Sequence, residues 1–374
     1  MRILMTTSWF PSRKHGTLGN FIQRHIEAIA LGHEVVVLAS FRDAEANGIT
    51  IEKTVESGVT IYRVYAAYAK WNIWKAKAAF DAGVEAIQRD DARTFDVVHH
   101  HVIFPKGAWA AQLAQQWNVP LVVTEHWTIY NTAVRRDQPW GLKWVSKRTT
   151  KSAARICPVS HDLANTMQAY GLAGEYTVVP NVVDTGLFKI GQPAPGFHFL
   201  HISSLEDRHK NISGMLRAWS KVYEKIPGAV LHIGGDGPYR QWQQTAADMG
   251  IPATSIAFFG ECSPAEVATR MAEAHCLVMF SRFENLPVVI VEAMASGLPV
   301  ISSRVGGIAE HLERERGMLV QSENEEELQA AFVAMHRLWG DYHRFDIRRY
   351  AEAQFSRAAV AAQYDAVYAA LGGA

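Results

Sequence analysis

Two glutamates eight residues apart, Glu284 and Glu292, are the most informative candidates for chemistry in this sequence. They lie in residues 281–307, SRFENLPVVIVEAMASGLPVISSRVGG, a pattern that predicts a loop, an apolar helix, a strand and a glycine turn. Glu284 precedes the helix, where free backbone N–H groups and the helix dipole favour an anion such as a phosphate. Glu292 falls among apolar helix residues, and burying an unpaired carboxylate costs on the order of several kcal/mol. A vicinal diol, such as a ribose, would donate two hydrogen bonds to that carboxylate.

The same glutamates also have an ordinary explanation. Glu284 would be a solvated loop acid, and Glu292 would pair with a nearby arginine or lysine. Two glutamates at this spacing are common, so the spacing alone leaves both explanations open.

Further candidates follow predicted strands in the second half of the chain. Lys210 lies in a loop-and-helix segment after the strand near Leu200, although a lone lysine there is ordinary for a surface. The turn Gly235-Asp-Gly237 ends a strand, but Arg240 occupies the position where a dinucleotide-binding fingerprint needs its third glycine. Gly260 directly follows the predicted strand Ile256–Phe259.

The first half of the chain adds glycines and histidines. Gly16 and Gly19 follow the first strand, either in a simple turn or in a loop whose backbone must approach a ligand without a Cβ in the way. His126 lies at the carboxyl end of a strand, where a position facing a cleft favours a functional role. The run His99-His100-His101 does not predict a metal site, because successive strand side chains alternate faces and no Asp or Cys ligand is near.

Strand-like runs alternate with helical patterns along the whole chain, which predicts parallel sheets covered by helices on both faces. The Gly/Pro-rich segment 190–196 interrupts this alternation. We therefore predict an α/β protein of two doubly wound Rossmann-like domains facing across a cleft, residues 1–188 and 189–354, with a C-terminal helix, 355–374, that packs back on the first. The predicted strands are Ile3–Thr6, Val35–Leu38, Asp96–His99, Pro120–Thr124, Ile156–Val159, Thr177–Val179, Phe197–Ile202, Ala229–Ile233, Ile256–Phe259, Cys276–Phe280, Pro299–Ser302 and Met318–Val320.

Composition narrows the class of protein. A length of 374 residues fits two domains, and 48% hydrophobic with 20% charged residues is typical of a soluble globular protein. No apolar run is long enough for a transmembrane helix, and the N-terminal residues predict a strand and not a signal peptide. A net charge of zero argues against a general nucleic-acid binder. Three widely spaced cysteines predict free thiols in a reducing cytoplasm.

Residues 281–307 resemble the retaining glycosyltransferases of family 4, which have the GT-B fold. The resemblance is carried by Glu284-x7-Glu292 within S-x-x-E-N-x-P, followed by EAMASGLPVI and a Gly-Gly turn, and it extends over nearly the whole chain. It implies that Glu284 is catalytic and contacts the transferred sugar, and that Glu292 holds the ribose of the nucleotide. The amides of Asn285 and Leu286 would meet the diphosphate.

Other family motifs match elsewhere. Lys210 matches the lysine that supplies a cation to the leaving diphosphate and is an implied catalytic residue. Ser204 stands where the family has an arginine, and Arg208 is our candidate substitute. The resemblance also makes His126 a catalytic residue beside the transferred sugar. The remaining implied donor-binding residues are Gly16 and Gly19 near the donor phosphate, Gly235 and Gly237 in the turn that shapes the nucleotide pocket, and Gly260 at the start of the base-binding loop.

The resemblance implies an enzyme, a retaining hexosyltransferase. It would move a sugar from a UDP- or GDP-sugar to a hydroxyl of a glycan or glycolipid, in the synthesis of cell-surface polysaccharide or glycoconjugate. Residues 1–188 would bind the acceptor and 189–354 the donor. No metal or other cofactor is expected, because Lys210, backbone amides and a helix dipole would stabilise the leaving group. Two alternatives stay open: a nucleotide-sugar epimerase on the same fold, and a non-catalytic sugar-nucleotide sensor, which the absent arginine leaves possible.

Basic residues are interleaved with tryptophans in two segments of the first domain. Residues 135–155 carry seven basic residues against one acid, together with Trp140 and Trp144, and residues 70–77 are KWNIWKAK. Such segments suit an anionic membrane surface, at about 1 kcal/mol per basic residue near it. Alternatively, the tryptophans belong to the core and the cations to a solvated face. The first explanation predicts a cytoplasmic protein at the inner face of the membrane that reaches a lipid-linked acceptor.

Overall fold

The computed structural model describes residues 1–69, 72–132, 134 and 138–373. The chain divides into two compact units, each built around one sheet. Unit 1 is Met1–Val182 with Arg357–Ala374, and unit 2 is Val183–Ser356. The prediction of two α/β domains with parallel sheets is confirmed. No helix within the described ranges is long and apolar enough to cross a membrane.

Unit 1 contains a seven-stranded sheet. Its strands are β1 (Arg2–Thr7), β2 (Glu34–Arg42), β3 (Ile49–Glu56), β4 (Val59–Ala66), β5 (Val97–His101), β6 (Leu121–Glu125) and β7 (Arg155–Pro158), and its helices are α1 (Asn20–Ile29), α2 (Ile73–Asp90), α3 (Gly107–Trp117), α4 (Leu142–Ser152), α5 (His161–Ala169) and, from the C-terminal end of the chain, α14 (Arg357–Ala369). The strand order is β3-β4-β2-β1-β5-β6-β7, and every neighbouring pair is parallel except β3 with β4.

Two details of this sheet differ from the sequence-based expectation. The hairpin β3–β4 was not predicted, although Ser57 and Gly58 both have positive φ, of 50° and 80°, as a two-residue hairpin turn requires. The expected strand Thr177–Val179 is wrong. That segment donates only two backbone hydrogen bonds beside β7, from Thr177 to Ile156 and from Val179 to Pro158, and does not extend the sheet.

Unit 2 contains a six-stranded sheet, and its strands match the predicted ones to within one residue. They are β8 (Phe197–Ile202), β9 (Ala229–Gly234), β10 (Ile256–Phe259), β11 (Cys276–Met279), β12 (Val300–Ser303) and β13 (Gly317–Val320), and the helices are α6 (Asp207–Lys210), α7 (Ile212–Trp219), α8 (Tyr239–Asp248), α9 (Pro264–Glu273), α10 (Val288–Ala295), α11 (Ile308–His311), α12 (Glu325–Leu338) and α13 (Arg344–Phe355). The strand order is β10-β9-β8-β11-β12-β13, and every pair is parallel.

The boundary between the units lies six residues before the predicted one. Residues 183–188 belong to unit 2 because α13 holds them. The amide of Val183 donates to the Phe355 carbonyl (2.8 Å), and the Arg348 guanidinium donates to the carbonyls of Thr185 (2.9 Å) and Phe188 (2.7 Å). The C-terminal segment that clusters with unit 1 begins at Arg357.

Both sheets have a point at which the chain reverses its direction of winding. In unit 2 the chain proceeds outward from β8 to β10 and then returns to β11, on the other side of β8. In unit 1 the corresponding step leads to β5, beside β1. Open parallel sheets bind ligands beyond the carboxyl ends of their strands at such switch points. Ligand sites are therefore expected at the loops after β8 and β11 and at those after β1 and β5.

A chain of hydrogen-bonded side chains fixes α14 to the sheet of unit 1. Buried His99 on β5 bonds Tyr368 (2.6 Å) through Nδ1 and Thr124 (2.8 Å) through Nε2. Thr124 bonds the Tyr364 hydroxyl (3.0 Å), which also bonds His25 of α1 (3.0 Å). The C-terminal helix thus supplies two tyrosines that satisfy buried histidines of the N-terminal unit.

Because this core contains buried histidines, we expect the protein to lose stability as the pH falls below about 6.5. Burial is the main cause that lowers the pKa of five histidines of unit 1: His25 to about 4, His100 to about 3, and His99, His101 and His126 well below 6.5. In the unfolded chain the same groups take up protons near pH 6.5, so acidification favours unfolding by about 1.4 kcal/mol per pH unit for each histidine. Burial raises the pKa of the Glu125 carboxyl, so this group stabilises the folded protein as the pH falls. It is one group against five histidines that act in the opposite direction.

The urea midpoint of unfolding, followed between about pH 5 and pH 8, measures this effect. We expect His100→Gln to reduce the slope of midpoint against pH, because it removes one buried imidazole. His15→Gln, at an exposed position, is the matched control and should leave the slope unchanged. A midpoint that does not move between pH 7 and pH 5 would contradict the prediction.

Candidate active site

The loop after β8 is held in place by buried contacts. His201 bonds the Val278 carbonyl (2.8 Å) and the Ser203 hydroxyl (2.7 Å), and that hydroxyl accepts from the Leu205 amide (3.1 Å). Leu205 itself is buried in a positive-φ conformation, with φ of 56°. Ser204 between them is exposed, so the fold presents to solvent the position where the family has its arginine.

The glycine turn after β9 packs directly against this loop. A Cβ at Gly235 would collide with the Ser203 carbonyl oxygen, and one at Gly237 would collide with that of Ser204. Both glycines are therefore required for the two loops to meet. This is a structural reason for them; their predicted role in shaping a nucleotide pocket stays a prediction.

The loop after β11 brings two predicted catalytic residues together. Lys210, the last residue of α6, donates from Nζ to Oε1 of buried Glu284 at 2.5 Å, and the Ser281 hydroxyl donates to the same oxygen at 2.8 Å. The Gly306-Gly307 turn after β12 supports this loop, since a Cβ at Gly306 would collide with the Glu284 carbonyl oxygen. The pair lies at the switch point of the unit 2 sheet, where a ligand is expected.

Arg282 joins these loops, and it was not among the residues predicted from the sequence. Its backbone amide donates to the His209 carbonyl (2.8 Å). Its guanidinium donates to the Asp207 carbonyl, to Oδ1 of Asn211 (2.7 Å) and to Oε1 of Glu323 (2.7 Å). Arg282 therefore fixes α6, and with it Lys210, against the loop of Glu284. The sequence signal that could have identified Arg282 is its position two residues before Glu284.

Glu292 lies on α10, a helix whose last six residues are all buried, as predicted. The helix follows Pro287 and stops before Gly297, whose φ of 69° fits the expected glycine C-cap. Asn285 and Leu286 are buried in the loop that leads to its N-terminus. The ribose contact of Glu292 and the phosphate contacts of the two amides stay predictions.

Two further donor-site candidates lie at the edge of this region. Arg208 is exposed on the same short helix as Lys210, so its proposed replacement of the missing arginine stays a prediction. Gly260 follows β10, and a Cβ there would lie 3.2 Å from the ring of Tyr239 at the start of α8. Its role beside the base is likewise untested.

His126 directly follows β6 in unit 1. The buried carboxylate of Glu125 fixes the turn by accepting hydrogen bonds from the amides of His126 (2.8 Å) and Trp127 (2.9 Å). The His126 ring bonds that of His101 (Nε2 to Nδ1, 3.3 Å) and packs against Phe21, with ring centroids 4.8 Å apart. Burial, and next the electrostatic interaction with His25, lower the pKa of His126, so its imidazole is neutral at pH 7. A neutral imidazole can orient a hydroxyl but supplies no charge to a phosphate.

The glycines of the first loop differ from each other. Gly19 has φ of 80° just before α1, and a Cβ there would lie 2.9 Å from the Trp9 carbonyl oxygen. Gly16 is exposed, and a Cβ there would meet no described atom within 4 Å, so the fold itself sets no steric requirement for glycine at this position. The predicted approach of both to a donor phosphate remains untested.

The histidine run on β5 alternates faces as expected. His99 and His101 stack on one side, with ring centroids 4.6 Å apart, whereas His100 bonds the Thr6 hydroxyl (2.8 Å) and the Val102 carbonyl (3.0 Å). Within the described part of the chain, no group of three His, Cys, Asp or Glu side chains is arranged to hold a metal ion.

Two family models match the chain. One, described as Glycosyltransferase Family 4, matches residues 25–187, and the other, described as Glycosyl transferases group 1, matches residues 196–337. A glycogen synthase of Mycobacterium tuberculosis is 28% identical over 344 residues, which cover 83% of this chain and 80% of that protein. A putative teichuronic acid biosynthesis glycosyltransferase of Bacillus subtilis, TuaC, is 24% identical over 386 residues, 95% of each chain.

Solved structures of glycosyltransferases share the fold. The sucrose-phosphate synthase of Thermosynechococcus elongatus superposes with a TM-score of 0.81 at 19% identity, covering 100% of this chain and 99% of that one. Anabaena HepE in complex with UDP and glucose gives a TM-score of 0.75 at 16% identity, covering 99% and 100%. At such identities the structures show the fold alone, and that fold is GT-B, as predicted. The two family models, which together match most of the chain, show that it belongs to the family 4 glycosyltransferases.

Proposed function

We propose that this glycosyltransferase moves a hexosyl group from a nucleoside-diphosphate sugar, a UDP- or GDP-sugar, to a hydroxyl of a glycan or glycolipid, with retention of the anomeric configuration. The observation that carries the proposal is the contact between Lys210 and Glu284 at the switch point of unit 2. The contact supports the proposal because a sugar diphosphate would need a cation and an acid close together. The product would contribute to a cell-surface polysaccharide or glycoconjugate.

Each group has a distinct task in this reaction. Lys210 and the N-terminal amides of α10 would stabilise the negative charge that develops on the leaving diphosphate. Glu284 would accept hydrogen bonds from the sugar hydroxyls, and Glu292 from the ribose. The acceptor would attack on the face from which the phosphate departs, and that phosphate would take the acceptor's proton. The chain's main contribution is then positioning and charge stabilisation.

The ion pair also suggests how the site stays stable before a donor binds. A half-buried lysine and a buried glutamate compensate each other's loss of hydration. A bound diphosphate would compete with Glu284 for the Lys210 ammonium and release carboxylate oxygen for the sugar. Ser281, which already donates to Glu284, would continue to hold that side chain in place.

Incubation of the protein with a panel of UDP-, GDP- and ADP-sugars tests this function. Slow release of the free nucleoside diphosphate, accelerated by an acceptor, supports a transferase. A new sugar nucleotide would indicate the epimerase instead, and binding without turnover the sensor. We further propose that no metal is required, so turnover with EDTA should equal turnover without it. The proposal would be overturned if the protein neither bound nor converted any of these sugar nucleotides.

Substitution of the two glutamates should separate turnover from nucleotide binding. Glu284→Gln keeps the size of the side chain but removes the charge beside the sugar, and we expect kcat to fall about a hundredfold or more. The Kd of the free nucleoside diphosphate should stay the same or fall, because Lys210 loses the carboxylate with which a diphosphate would compete. Glu292→Gln should raise that Kd about tenfold. Each variant is the control for the other. Equal effects of both substitutions on kcat and Kd would contradict the assignment.

We also propose that unit 1 binds an anionic membrane surface at the cytoplasmic side. Exposed tryptophans support this, since Trp74 is 81% exposed, Trp140 92% and Trp144 64%, so none is a core residue. The helices α2 and α4 begin near these tryptophans. Each helix leads back to a strand that is parallel to the rest of the sheet, β5 or β7, so each helix begins near the edge where the strands end. Lys70, Trp71, Arg135 and Arg136 of the predicted patches lie outside the described residues.

Sedimentation with vesicles tests this surface. We expect binding to phosphatidylglycerol-containing vesicles that weakens as salt rises, because exposed cations such as Lys143 and Lys147 contribute Coulomb attraction. The double variant Trp74→Ser, Trp140→Ser should bind several-fold more weakly. Phe345→Ser, at a 78% exposed position of unit 2, is the matched control and should bind like the unsubstituted protein. Absence of binding at low salt would disprove the proposal.

A further inference from the structure

A pocket of about 300 Å³ opens at the switch point of the unit 1 sheet. Its walls come from the loop after β1, the carboxyl ends of β2 and β4, and the residue before α3. None of the residues predicted to contact the donor lines it. The topology therefore places a second concave site where parallel sheets bind ligands, and its residues come from unit 1 alone.

Lys106 is the central charge of this pocket. It is 8% exposed, and its ammonium donates to the backbone carbonyls of Ser40 (2.5 Å) and Thr7 (3.3 Å). Among the residues that the structure describes, no carboxylate lies within ion-pair distance of it. An ammonium has three N–H donors, so two carbonyls leave one donor for another partner. Burial lowers the pKa of Lys106 to about 7, which reflects a charge without a counterion.

Ser40 supplies a second, independent polar group. This residue lines the same pocket and is 4% exposed, and within the described chain its hydroxyl oxygen has no hydrogen-bond partner. Buried polar atoms normally have partners, so a hydroxyl without one next to a cation indicates a position prepared for a ligand atom.

The acid in the pocket does not cancel the positive charge. Asp43 is buried, and its carboxylate accepts hydrogen bonds from the Arg13 guanidinium, from Lys14 (2.6 Å) and from the Glu45 amide (3.0 Å). These contacts hold the pKa of Asp43 far below its usual range, with the bond from Lys14 as the largest cause. Arg42 at the pocket rim is exposed and has no ion pair among the described residues. Within that part of the chain, Arg42 and the protonated form of Lys106 thus remain as uncompensated cations.

We infer that this pocket binds a phosphate or carboxylate group carried by the acceptor, so that the acceptor is an anionic sugar or a phosphorylated molecule and not a neutral glycan. The buried Lys106 ammonium and the Ser40 hydroxyl would donate to the anionic oxygens, and Arg42 would attract the charge from the rim. That the bound anion belongs to the acceptor rests on the proposed transferase function, whereas the anion site itself rests on the pocket alone.

Calorimetric titration of the full chain with inorganic phosphate, glucuronate and neutral glucose tests the site. We expect phosphate or glucuronate to bind and glucose not to bind. Lys106→Met should weaken the binding of that anion about tenfold to a hundredfold, since it removes a charge-assisted hydrogen bond. Ser40→Ala and Arg42→Gln should weaken it less, and both keep the test valid if Lys106→Met does not fold.

Lys210→Met is the control for anion binding at the donor site of unit 2. Phosphate binding that survives in Lys210→Met and is lost in Lys106→Met supports the inference. Phosphate binding that is lost in Lys210→Met and unchanged in the three pocket variants would assign the ion to the donor site and overturn it, as would binding of neither anion. Because the titration needs no donor, its failure is distinguishable from a failure of the sugar-nucleotide panel.

Discussion

The contact between Lys210 and Glu284 is the interaction on which the candidate donor site depends. Glu284 is buried in the loop after β11, and removal of its partner would leave an uncompensated buried charge, at a cost of about 3–5 kcal/mol. The loops after β8 and β11 must therefore stay at a fixed separation. Arg282 maintains that separation through its bonds to α6 and Asn211, while Gly235, Gly237 and Gly306 permit backbones to approach where any side chain would collide.

Local patterns in the sequence predicted some parts of this fold, whereas parts that depend on distant contacts were missed. The strands of unit 2 were predicted to within one residue because each is a short, continuous apolar run between clear turn signals. The strand β3 is exposed along almost its whole length, so burial in a core does not mark it, whereas β4 is mostly buried and was missed despite its apolar run. The domain boundary was displaced because Phe188 and its neighbours are fixed by Arg348, more than 150 residues away.

The candidate site was likewise predicted only in part. The residue types and their loops were predicted, because Glu284 and Lys210 lie in motifs that resemble a known family. Their contact spans 74 residues of sequence and depends on β8 and β11 being neighbours, which only the strand order reveals. Arg282 and Ser40 were missed for a related reason: an arginine in a loop and a serine in a strand are ordinary until their partners, or the lack of one, are known.

The position of Ser204 limits how the site can supply positive charge. Arg282 cannot replace the absent arginine, because its guanidinium already donates to Asp207, Asn211 and Glu323. His209 cannot replace it either, since burial lowers the pKa of its imidazole and favours the neutral form. Lys210 would then be the central cation for a leaving diphosphate, and Arg208, exposed on the same short helix, would be the neighbour placed to assist. A site with so few cations would depend more on the oriented amides at the start of α10, and the proposed function would therefore depend on the loop before that helix.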